Sequence, residues 1–148
     1  MTPNLRAVIM DLAQRMGGLF APDLKSPFLA ATAGMTTAVL MMAAEEIDRT
    51  AHRLAEENRA IRGIFTAAAA LSAPAALGER LKTLAAGDES DLRVSSLQAA
   101  NDALRTALIE LQTYVEGEAS PVAAEINAAI WAELAASTRR RAFSMAPF

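Results

Sequence analysis

Glu45, Asp48, His52 and Glu56 stand three, four and four residues apart, a spacing that sets carboxylates and an imidazole along one face of a helix. Oxygen and imidazole ligands of this kind suit a transition metal, and Asp48, His52 and Glu56 are the three such a metal would use. A bundle that holds metal with carboxylates needs a Glu-x-x-His pair from each of two helices. Here the residue three before His52 is Arg49, and the chain has one histidine. Arg49, Arg53 and Arg59 interleave with the acids, the arrangement of ion pairs on a wet helix face. The pattern therefore predicts a solvated charged face, with no metal and no cofactor. As a general base His52 lacks a Ser or Cys close by in sequence to activate.

Three further groups invite a chemical reading. Arg139, Arg140 and Arg141 form a basic run; in the last turn of a helix they complement the free carbonyls and the dipole, and a run of three is short for nucleic acid. Met35, Met41 and Met42 with Thr32, Thr36 and Thr37 would line an apolar ligand site with a few polar anchors, although core filling is the commoner use. Asn58 and Asn101 each interrupt an apolar stripe, where a polar side chain can set register; Ala100 is the alternative core position. There is no glycine-rich phosphate loop and no catalytic triad order.

The elements that carry these residues are helical. The chain has 148 residues, 53% hydrophobic but only 5% aromatic, so Ala and Leu dominate, both strong helix formers. No stretch alternates as a strand would. Three helix starts share one form, a hydroxyl residue before proline: Thr2-Pro3, Ser26-Pro27 and Ser120-Pro121. The hydroxyl accepts from a free N–H of the first turn, and proline needs no donor there.

The first helix is predicted over about 3–16, with Leu5, Val8, Ile9, Leu12 and Met16 as its inward stripe and Gly17-Gly18 as its stop. The second begins at Pro27 and runs to about 62 or to about 70. Its inward register is Leu29, Ala33, Thr36, Leu40, Ala44, Ile47, Ala51, Leu54, Asn58, Ile61 and Phe65. Further helices are expected at about 74–86, 91–116 and 121–140, with residues 142–148 as a tail. The fold class is all-α: one domain over 1–148, an antiparallel helical bundle of about five helices around one long central helix.

From Phe28 to Ala44 the long helix has no charged side chain. Seventeen residues span about 25 Å of helix, short of the roughly 30 Å of bilayer hydrocarbon. The register also continues through Glu45 without a break, so this stretch is expected to be sheathed by protein on every side, with no membrane partner. Where its own helices do not suffice, Phe28, Met35, Val39 and Met42 would form the interface with a second copy or another protein.

The net charge of −3 argues against nucleic acid, which selects a basic surface. Absence of cysteine removes disulfide and thiolate chemistry. The N-terminal residues place Arg6, Asp11 and Arg15 within their apolar pattern, unlike a signal peptide, so a cytoplasmic location is expected. Twelve Arg against two Lys, with abundant Ala, fits the codons of a GC-rich bacterial genome. The functional expectation is a non-enzymatic helical protein acting by association, as a homodimer or with a protein partner, through the apolar face of the second helix. The alternative is a small-molecule binder or enzyme with an apolar site between bundle helices.

Overall fold

The computed structural model describes residues 4–144, and within them the protein is all-α. Five helices follow in order: α1 (Leu5–Arg15), α2 (Pro27–Ala67), α3 (Ala75–Ala85), α4 (Val94–Glu116) and α5 (Pro121–Arg141). Contacts cluster into two compact units, residues 1–50 with 143–148, and residues 51–142. The sequence reading treats 1–148 as one domain. The 41-residue α2 contributes to both units; it passes Gly63 without interruption and ends in a 3₁₀ turn, Ala68–Ala70.

The helix ends follow local chemistry. Ser120 Oγ accepts from the amide of Ala123 at 3.1 Å, and α5 starts at Pro121, as the hydroxyl–proline signature predicts. Pro27 likewise opens α2. The Thr2-Pro3 start lies outside the described residues; the N-cap of α1 is Asn4, whose Oδ1 accepts from Ala7 N. Ahead of α4, the Asp91 carboxylate accepts from the backbone and side chain of Arg93 and from Ser96 Oγ, which drives its pKa far below the ordinary carboxylate range. That local turn delays α4 to Val94, three residues past the expected start.

Gly17 and Gly18 do not stop the first helix. Both keep negative φ, so the left-handed cap that glycine permits is not formed. The chain instead widens into a π-helical turn, Met16–Phe20, and closes with one α-turn, Ala21–Asp23.

The second unit is a four-helix bundle formed by the later part of α2 with α3, α4 and α5. Successive members alternate direction. Arg62 on α2 reaches Glu89 and the carbonyl of Leu84 just beyond and within α3, Arg80 on α3 meets Glu110 on α4, and four residues, 117–120, turn the chain from α4 into α5. The first and third members run parallel as a result: Asn58 meets Asn101, and fourteen residues later Ser72 O accepts from Tyr114 Oη. The core between them contains Ile61, Phe65, Leu81, Leu104, Leu111, Ile126 and Ile130, all nearly sealed from water. These are the large side chains that the three-four spacing of α2, α4 and α5 assigns to the interior.

Candidate functional site

The first unit is a helical hairpin. Arg6 on α1 pairs with Asp48 on α2 at 3.6 Å, while farther along α1 a Cβ at Gly17 would stand 3.1 Å from both Cγ2 and Oγ1 of Thr37. The two helices therefore run antiparallel, and a side chain at Gly17 would crowd that of Thr37. The buried residues of this unit are Ala13, Ala33 and Ala44, among those described. A seam of small side chains brings helices near, but it encloses little apolar area.

The large apolar side chains of the hairpin consequently face water. Fifteen large apolar residues are exposed among the described residues, and ten belong to this unit: Leu5, Val8, Leu12, Leu19, Phe20, Phe28, Leu29, Met35, Val39 and Ile47. The expected sheath around the uncharged opening of α2 is thus not formed within one chain. Of its expected inward register, Leu29, Thr36 and Ile47 are exposed, and in α1 the same is true of Leu5, Val8 and Leu12. The three–four spacing marks an apolar stripe correctly, but only a neighbouring layer can cover it: of the α2 register the seam encloses Ala33 and Ala44, and in α1 it uses Ala13, one step around from Leu12.

The four residues named as an interface are placed plainly. Phe28 is 77% exposed, Met35 71% and Val39 62%, and Met42 is half-buried. The most apolar eighteen-residue window of α2 is only 11% buried, and by length and composition that helix would also cross a membrane.

The threonines that would anchor a ligand beside Met35, Met41 and Met42 are turned to their own helix. Thr32, Thr36 and Thr37 donate to the carbonyls of Phe28, Thr32 and Ala33, each at 2.9 Å, the common back-bond of a helical hydroxyl. Among the possible metal ligands, Asp48 pairs with Arg6, His52 sits 3.5 Å from Glu56 on an exposed face, and Glu45 binds Arg49 together with the amide and hydroxyl of Ser144. The bonds from Ser144 lower the Glu45 pKa most. No three His, Cys, Asp or Glu side chains converge among the described residues.

The second unit contains a polar cluster that the sequence reading missed. Glu57, 1% exposed, accepts from Arg105 at 2.5 Å, Arg141 at 2.7 Å and Ser137 at 3.0 Å. Burial pushes its pKa up, but the bonds from Arg141 and Asn101 outweigh this and leave it below the ordinary value. Asn58, fully buried, donates to Leu97 O and accepts from Asn101; Asn101, not Ala100, is the core position. Glu133 pairs with Arg140; burial raises its carboxyl, partly opposed by that arginine. Arg141 thus ties α5 to α2 rather than only capping α5, while Arg140 pairs within α5 itself. Glu57 was legible in principle, since it lies three after Leu54 and four before Ile61, on the edge of the apolar stripe. Its partners, 48 to 84 residues away, were not. Every oxygen of Glu57 is satisfied, so the cluster is a buried lock between α2, α4 and α5.

No family model, curated protein or solved structure matches the chain. The functional reading therefore rests on the hairpin's surface and on the bundle's cavities.

Proposed function

We propose that the protein is a non-enzymatic association module in which two copies join through the uncovered apolar faces of α1 and the first half of α2. The carrying observation is the mismatch in the hairpin: among the described residues nothing larger than alanine is buried, while Phe28, Met35 and Val39 stand in water. Large apolar patches rarely remain uncovered on soluble proteins. A two-helix hairpin is half of a four-helix bundle, and a second copy supplies the missing pair through a two-fold axis. Charge supports protein over lipid as the cover. Residues 4–50 carry four basic side chains, Arg6, Arg15, Lys25 and Arg49, against five acidic ones, Asp11, Asp23, Glu45, Glu46 and Asp48. Helices that settle on anionic lipid carry a basic excess instead.

Sedimentation equilibrium of the wild type and of Met35→Glu tests this reading. The expected result is a concentration-dependent dimer for the wild type and a monomer for the variant, with unchanged helicity. A wild type that stays monomeric at all concentrations overturns it. Flotation of the wild type with liposomes, unaccompanied by dimer formation, would assign the face to a membrane instead.

A further inference from the structure

An apolar cleft lies in the second unit, and none of the methionines of α2 line it. About 470 Å³ of space opens between the last turns of α2, the 3₁₀ turn and α3, walled by Phe65, Leu71 and Leu81 and rimmed by Thr66 and Lys82. Small residues create it: Gly78 sits on its wall, with nothing within 4 Å of where its Cβ would be. The volume is that of an ordinary ligand pocket. Its polar equipment is sparse. Thr66 Oγ already donates to Arg62 O, and Arg62 is committed to Glu89 and Leu84. Arg80, two residues before Lys82 on α3, is paired with Glu110. The Lys82 ammonium has no ion pair or hydrogen-bond partner among the described residues. An apolar hollow with one unneutralised cation at its rim complements a molecule with an apolar body and a single anionic head.

From this geometry we infer that the cleft binds an amphipathic monocarboxylate, its chain against Phe65, Leu71 and Leu81 and its carboxylate on the Lys82 ammonium. The site is independent of the association face. It needs no residue of α1 and none of the first half of α2.

Isothermal titration with decanoate and with decanol separates head from tail. The wild type is expected to bind decanoate more tightly than decanol. Lys82→Gln should weaken decanoate about tenfold, the loss of one charged contact, and leave decanol unchanged. Gly78→Leu, which enters open space and removes a helical glycine, should keep the fold and abolish binding of both. Met35→Glu should bind decanoate as the wild type does. The inference is overturned if decanoate binds no better than decanol, if Gly78→Leu binds undiminished, or if Met35→Glu abolishes binding and so moves the ligand to the hairpin.

Discussion

In the hairpin, Ala13, Ala33 and Ala44 are enclosed while Phe28, Met35 and Val39 are wet; in the bundle, Phe65, Leu111 and Ile130 are enclosed and the solvent side carries charge. Both units are made from the same helical periodicity, yet only one covers its apolar stripe. The difference lies in the number of layers. A helix in a four-membered bundle meets neighbours across a wide arc, whereas each helix of a hairpin meets one, and the rest of its surface stays open. The bundle accordingly encloses most of its large apolar side chains, and the hairpin leaves most of its own exposed.

Substitutions can break or sharpen this contrast. The largest effect is expected for Leu111→Ala, a fully buried side chain, which should cost about 2–5 kcal/mol in denaturant unfolding through lost contact and a cavity. The matching truncation in the hairpin, Leu12→Ala at a half-exposed position, should stay within about 0.5 kcal/mol for the monomer; equal losses would erase the distinction.

Next comes Glu57→Gln, expected to cost about 2–3 kcal/mol at neutral pH because it takes the charge from a buried acceptor of two arginines. The sign with pH follows from the lowered carboxyl. Its contribution is complete above the unfolded value of roughly 4.3 and disappears as pH falls through the lower folded value. Acid unfolding of the variant should therefore be shallower than that of the wild type. Glu133 acts oppositely: its folded pKa is raised, so protonating it relieves a penalty, and Glu133→Gln should remove a small gain in stability that the wild type shows as pH falls through the raised value towards the ordinary carboxylate one.

Gly17→Leu comes third. It forces atoms against Thr37 and should cost about 1–3 kcal/mol by overpacking, read as faster amide exchange confined to α1 and the first half of α2. Loss of protection throughout the bundle would show that the two units unfold together. The smallest effect on unfolding, within about 0.5 kcal/mol, is expected for Met35→Glu, whose consequence appears in self-association alone.

Local rules wrote much of this molecule directly. The proline-started helices, the all-α class and the large core of α4 follow from propensity, capping and spacing, all properties of residues a few places apart, whereas the passage of α2 through Gly63, left open between ends near 62 and 70, came from the fold. Periodicity set Asn58 and Asn101 in the apolar stripes but left Ala100 as the alternative to Asn101; that both asparagines are buried came from the fold. Periodicity could not say that Gly17-Gly18 would sit in a widened helical turn instead of ending the helix, nor that Gly17 would face Thr37, twenty residues on. Nor could it reveal that Glu57 would gather Arg105, Ser137 and Arg141, or that the hollow would open beside Lys82 rather than beside the methionines. An apolar stripe states only that a face needs covering. Which faces find a neighbour within the chain, and which are left waiting for one, is settled by how helices distant in sequence come together.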